Sequence, residues 1–155
     1  MRRRRAEQRI LSPDVKYGSV EVARFINKVM QRGKKTVAQG IVYDALGDLE
    51  GRANRPALEV FQDALRNATP LLQVKPRRVG GATYQVPLEV PPDRGRQLAT
   101  RWLITGARSR KGRPMREKLA QELLDASKGE GSAVKRREDL HRMAEANRAF
   151  VHYRW

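Results

Sequence analysis

The chain of 155 residues has no cysteine. That excludes a disulfide framework, thiol catalysis and any zinc or iron–sulfur site held by thiolates, and it fits a reducing cytosol. Histidine is nearly absent too: His141 and His152 are the only two, and neither belongs to a spaced set of metal ligands. Long apolar runs are missing, with no stretch approaching the ~20 residues of a membrane helix. Arg2, Arg3, Arg4 and Arg5 give the start a basic look, but Ala6-Glu7-Gln8-Arg9 follows where a secretion signal needs an apolar segment. Neither a membrane partner nor a cofactor is expected. Acidic charge is also scarce. Asp and Glu number 17 against 33 Lys and Arg, a net charge of +16 and a pI near 11.1.

That surplus is the main positive signal. A small domain keeps itself soluble with a net charge of about 2–8. A larger excess repels itself in the compact state, and a polyanionic partner is the simplest compensation. The hydrophobic fraction of 39% suffices for one modest core, so residues 1–155 read as a single domain with polar ends.

Hydrophobic periodicity gives the architecture. Residues 1–18 are basic and lack a helical period, the pattern of a tail ordered by a partner. Val22, Phe25, Ile26, Val29 and Met30 then line one helix face, with Ser19 as N-cap and Gly33 as stop. A second helix from about Thr36 aligns Val37, Ile41, Val42, Ala45, Leu46 and Leu49. Pro56 opens a third, carrying Leu58, Phe61, Leu65 and Ala68. The period then changes to two. Residues 72–79 and 84–90 flank Gly80-Gly81, a signal for a tight hairpin with positive φ. No other segment reads as a strand, so this ribbon, residues 72–90, has no sheet to join. Strands of that length reach about 25 Å, against a radius of gyration of about 15 Å for a body of this size. The ribbon is an arm, supported by the helical body near its base and by a partner near its tip, because an isolated hairpin is marginal in water.

Three more helices complete the chain. One opens at Pro91-Pro92-Asp93 and carries Leu98, Trp102, Leu103 and Ala107. Another follows Pro114 with Met115, Leu119, Leu123 and Ala126. The last runs from about Ala133 with Leu140, Met143 and Ala144, after a Gly129-Glu130-Gly131-Ser132 segment that reads as a flexible joint. Residues 148–155 form a second basic tail. The fold class is mainly α: a six-helix single domain with a protruding two-stranded β-hairpin arm and basic terminal tails.

Basic residues gather in four clusters far apart in sequence. These are Arg2, Arg3, Arg4, Arg5 and Arg9; Lys34 and Lys35 between the first two helices; Arg77 and Arg78 beside the hairpin tip; and Arg94, Arg96, Arg101, Arg108, Arg110, Lys111 and Arg113. Most lie on loops, tips or termini, where they can follow an irregular phosphate backbone while the helices stay packed. Arginine predominates, and its planar fork binds phosphate bidentately and stacks on bases. Folded RNA offers bulges and widened grooves that a ribbon arm can enter. Tyr84 near the hairpin tip, and Tyr153 and Trp155 in the basic tail, could stack on bases or pack on the body.

Signs of an enzyme are weak. Gly33-Lys34-Lys35-Thr36 matches the end of a P-loop, but Lys28 stands where the first glycine would be, and a helix precedes it instead of a strand. Glu138 and Asp139 are neighbours that point apart on a helix, and Glu117 and Glu122 read as solvated ion-pair partners. Structural RNA binding is therefore the leading reading. Rivals are a repressor binding its own messenger RNA, an architectural DNA-binding protein, which the lack of a helix-turn-helix pattern disfavours, and an RNA-processing enzyme without a partnered general base.

Three stretches also resemble a known family. Phe25-Ile26-Asn27-Lys28-Val29-Met30 with Gly33-Lys34-Lys35 and Ile41-Val42-Tyr43-Asp44-Ala45 is similar to the signature of bacterial small-subunit ribosomal protein seven. Arg77-Arg78-Val79-Gly80-Gly81-Ala82-Thr83-Tyr84-Gln85-Val86-Pro87 resembles its hairpin arm. Met143-Ala144-Glu145-Ala146-Asn147-Arg148-Ala149-Phe150 with His152-Tyr153-Arg154-Trp155 resembles its C-terminal end, with Phe150 in place of an expected tyrosine. The resemblance implies six helices and an arm, binding to the 3′ major domain of 16S ribosomal RNA, nucleation of head assembly, and a place in the cytoplasmic ribosome. It implies a position at the subunit interface near the exit-site transfer RNA and the messenger RNA path, beside small-subunit proteins nine and eleven, with no homo-oligomer expected. On this resemblance the four clusters contact ribosomal RNA. Gly80, Gly81, Ala82 and Tyr84 lie toward the exit-site transfer RNA, and Leu140, Met143 and Ala144 approach protein eleven.

Overall fold

The computed structural model describes residues 10–153. Helix α1 (Val20–Val29) starts at Ser19, whose hydroxyl accepts the Val22 N–H, and it buries Val22, Phe25, Ile26 and Val29. A short turn leads to α2 (Lys35–Ala53), which ends where Asn54 takes the left-handed conformation (φ 49°). Pro56 stands immediately before α3 (Ala57–Ala68). Strands β1 (Leu72–Val79) and β2 (Ala82–Glu89) form the one sheet among the described residues. Then come α4 (Pro92–Ser109), α5 (Met115–Ser127), α6 (Gly131–Ala146) and a closing 3₁₀ helix (Arg148–Tyr153).

The core lies around α5, which packs against α2, α3, α4 and α6. Its buried apolar residues, Leu119, Ala120, Leu123 and Ala126, join Leu46 and Leu49 of α2, Phe61 of α3 and Leu103 of α4 in one cluster. Phe25 and Phe61 meet edge to face with centroids 5.2 Å apart, which ties α1 to α3.

One carboxylate sits fully inside this helical body. Glu122 is 0% exposed and both of its oxygens are used. Oε2 accepts from Arg110 Nε (3.0 Å) and from its terminal guanidinium nitrogen (2.6 Å). Oε1 accepts from the Ser132 hydroxyl (2.6 Å) and the Ala133 N–H (3.1 Å). The same Arg110 nitrogen reaches Asp125 at 2.6 Å. A buried charge is tolerated when it is paired and its lone pairs are filled, and this one meets both conditions. These bonds bind α5 to the end of α4 and the start of α6. The reading of Glu122 as a solvated ion-pair partner is thereby corrected. So is the flexible joint at residues 129–132: the Glu130 N–H donates to the Asp125 carbonyl (2.8 Å), Ser132 is tied to Glu122, and α6 begins at Gly131.

The hairpin pairs Leu72 with Glu89 through Val79 with Ala82 in unbroken antiparallel register. Gly80 (φ 56°) and Gly81 (φ 91°) both take positive φ, as a type I′ turn requires. Support comes from the body and from the far end of the chain. Helix α6 lies against β1, and the 3₁₀ helix lies against β2. Val86 is buried. At the base, His141 Nε2 accepts the Leu71 N–H at 3.0 Å. Desolvation, with Arg137 nearby, pushes the His141 pKa below its ordinary value, which keeps that nitrogen an acceptor at neutral pH.

Three further expectations change. Val37 is 57% exposed and Met143 48% exposed, so neither belongs to the core stripe; in α6 that stripe is Ala133, Val134 and Ala144. Part of the N-terminal tail is built into the body. Asp14 is buried and accepts from the Tyr43 hydroxyl at 2.7 Å and from the Lys16 and Tyr17 N–H groups. The Tyr43 pKa is raised, first by its hydrogen bond to Asp14 and then by desolvation. Residues 148–153 form a helical turn rather than a plain tail.

Candidate nucleic-acid interface

Most of the cations singled out from the sequence lie on elements joined by α4: the arm before its start, and the two loops near its end. Eighteen residues long, this helix spans about 27 Å at 1.5 Å per residue. Its first turn is set at the base of the arm, where a side chain at Gly95 would strike Thr69 Cγ2 at 2.9 Å and the Pro70 carbonyl at 3.1 Å. Its last turn meets α1, where Arg108 donates to the Val29 carbonyl at 3.3 Å.

On the arm, Arg77 and Arg78 stand exposed on β1, three and two positions from Gly80. Arg94 is exposed at the start of α4. None of the three side chains makes a hydrogen bond or ion pair with another described residue. Arg96 makes an exposed pair with Glu21 at 3.6 Å, a contact of little energetic weight that a phosphate can replace. Gly80, Gly81 and Ala82 form the exposed tip. Tyr84 is turned inward instead. Its ring lies 5.3 Å from that of Tyr153 and 5.1 Å from that of Phe150, so its aromatic face braces the arm against the 3₁₀ helix.

Near the end of α4, the α1–α2 turn and the α4–α5 loop converge. Arg32, Lys34 and Arg108 ring one cleft; Lys111, Arg113 and Lys118 ring a second, at the start of α5. Lys35 is exposed beside the first, and Arg101 is exposed midway along α4. Lys34, Lys35, Arg101, Lys111 and Arg113 make no side-chain hydrogen bond or ion pair with another described residue. Arg110 differs. Its guanidinium is committed to Glu122 and Asp125, and these carboxylates outweigh desolvation to raise its pKa, so it shapes the basic loop from below.

Arg32 and Lys118 line these clefts without having been singled out from the sequence. The one sequence signal for Arg32 is that it precedes Gly33; in the structure both take left-handed φ, 52° and 74°, which makes a sharp corner. Lys118 lies one turn into α5 and had none. Of the three residues expected to meet a protein neighbour, Met143 is exposed, Leu140 is half-buried, and Ala144 is buried, with only 2% of its surface accessible. Arg2, Arg3, Arg4, Arg5, Arg9 and Trp155 lie outside the described residues. Among those described, no group of three His, Asp or Glu could hold a metal ion, and no helix is long and apolar enough to cross a membrane.

A helical body with cations displayed on an arm and two loops suits an irregular polyanion, and comparison with known proteins narrows the field. Residues 1–148 match the family model described as ribosomal protein S7p/S5e. The chain belongs to this family. It is 58% identical over 155 residues, the full length of both chains, to the small ribosomal subunit protein uS7 of Thermotoga neapolitana. The uS7 protein of Fervidobacterium nodosum is 56% identical over the same full length. That of Roseiflexus sp. is 59% identical over 152 residues, 98% of this chain and 97% of its own. The S7p/S5e family is structural and non-enzymatic, which removes the RNA-processing alternative. In this chain the arm, the α1–α2 turn and the α4–α5 loop each carry exposed cations without a side-chain partner among the described residues.

Proposed function

We propose that this protein, a constituent of the small ribosomal subunit, binds the 3′ major domain of 16S ribosomal RNA directly and nucleates assembly of the subunit head. The observation that carries this reading is the division of labour among the cations. Arg110 is spent on the fold, whereas Arg77, Arg78, Lys34, Lys35, Lys111 and Arg113 are exposed on the arm and loops, without internal partners among the described residues. Groups left so, on a chain of net charge +16, destabilise the free protein by mutual repulsion and gain on meeting phosphate. Cations spread over the arm, the α1–α2 turn and the α4–α5 loop favour an RNA that folds back on itself over a single straight groove.

The tip at Gly80-Gly81-Ala82 has no bulk and extends beyond the aromatic brace, which suits insertion beside another RNA; the exit-site transfer RNA and the messenger RNA path are the proposed neighbours. Met143 and Leu140 of α6 offer a small apolar face for a protein neighbour, with small-subunit proteins nine and eleven as the candidates.

Filter binding of the purified chain to an isolated 3′ major domain fragment tests the central statement. With roughly eight to ten phosphates neutralised, affinity should fall by about four powers of ten between 50 and 200 mM salt. Binding no tighter than to an unrelated structured RNA would defeat the reading.

A further inference from the structure

The cleft between the end of α1, the start of α2, the end of α4 and the start of α5 has a volume of about 440 Å³ and an unusual lining. Its rim is cationic: Arg32, Lys34 and Arg108. Its floor is apolar, made by Val37, Ile41 and Met115. Val37 is 57% exposed, so no described part of the chain covers it. No acidic residue lines the cleft.

We infer that this cleft receives one unpaired nucleobase of folded RNA, its flanking phosphates held by Arg32, Lys34 and Arg108; the inference rests on the RNA-binding reading above. A nucleobase is flat and apolar on its faces, and it arrives attached to an anionic chain, which is the complement of an apolar floor inside a cationic ring. The volume falls in the range of pockets that enclose small organic groups. Unpaired bases in loops and bulges can be splayed out into such pockets, whereas the bases of a regular helix cannot. Gln31, also on the lining, supplies an amide for a base edge.

One rim side chain is anchored to the fold, and another stands on an unusual backbone conformation. The Arg108 guanidinium is anchored by the Val29 carbonyl at 3.3 Å. Arg32 adopts φ 52°, a conformation that side-chain-bearing residues rarely take, and strained positions of this kind gather where a site needs a side chain in one place. A second copy of the chain is a poor occupant, because each carries +16 and the rims would repel.

Val37→Ser separates this inference from general phosphate binding. Val37 is the third residue of α2, where serine is well tolerated, so the helix should form and circular dichroism should be unchanged. Affinity for the 3′ major domain fragment should fall on the order of tenfold, within what one stacked base contributes, and the slope of affinity against salt should not change, because no phosphate contact is lost. Lys34→Ala should instead lower that slope by about one. A photo-crosslinking residue placed at position 37 should mark a single unpaired nucleotide. Unchanged affinity of Val37→Ser, or crosslinks to duplex nucleotides or to a second protein copy, would overturn the inference while leaving wild-type RNA binding intact. Failure of the wild-type chain to bind would overturn the function itself.

Discussion

Gly106 of α4 and Glu122 of α5 face each other so closely that a methyl group on the glycine would come within 2.6 Å of Glu122 Oε1 and collide with the Ser132 hydroxyl. The missing side chain lets the helices approach, and the approach encloses the carboxylate. Gly106→Ala should therefore cost about 2 kcal/mol, as overpacking in a fixed core does, although alanine is the better helix former. A midpoint lowered by roughly 5 °C in thermal unfolding would check it.

Removing the carboxylate tests the same contact from the other side. Glu122→Ala strips Arg110, Ser132 and the Ala133 N–H of an acceptor at once and should cost about 3 kcal/mol, the lower end for a broken buried pair, because Arg110 keeps Asp125. Glu122→Gln preserves the shape and should cost less. Urea unfolding at constant slope would measure both.

His141 makes the arm sensitive to acid. Its folded pKa is lowered, so the unfolded chain binds the proton more readily and stability is lost as the pH falls below about 6.5, the ordinary imidazole value. Above that value the contribution is constant. Protonated Nε2 cannot accept the Leu71 N–H, so the protection factor of amides at the base of β1, measured against the slower intrinsic exchange in acid, should fall as the pH falls. His141→Ala should lose this pH dependence.

The aromatic brace should govern the stiffness of the arm. Phe150→Ala removes a ring 5.1 Å from Tyr84, an interaction of about 0.5–1.5 kcal/mol beyond the buried area. Hydrogen exchange in residues 72–89 should accelerate several-fold while the helices keep their protection. Loss of protection throughout would show that the 3₁₀ helix supports the body as well.

Arg77→Ala combined with Arg78→Ala should weaken RNA binding about tenfold or more and flatten the salt dependence by between one and two units. The helical signal should not change, since both side chains are exposed. A simultaneous loss of helicity would assign them to the fold.

Much of this fold was legible because local pattern and final packing agree. Phe25, Ile26 and Val29 repeat with the helical period and are buried together, and Gly80-Gly81 marks the hairpin turn in a two-letter signal. The polar interior was not legible. Glu122 meets partners 10 to 12 positions away, and Asp14 meets Tyr43 from 29 positions away. Such pairings arise only after helices pack, and no periodicity records them. The site divided along the same line. Exposed arginines on the arm and loops could be listed from sequence, but Arg110 could not be separated from its neighbours without knowing that Glu122 lies beneath it. Val37 fits an apolar stripe by spacing, yet α1 and α5 stop short of covering it.

The ribbon has two strands and no sheet to shelter in, so each strand is an edge. Open edges invite strand addition by a second molecule, the first step toward aggregates. Here Pro76 on β1 and Pro87 on β2 each lack a backbone donor, and Lys75, Arg77 and Arg78 set like charges along β1. The side chains proposed to meet RNA thus also oppose pairing of the ribbon with a second copy.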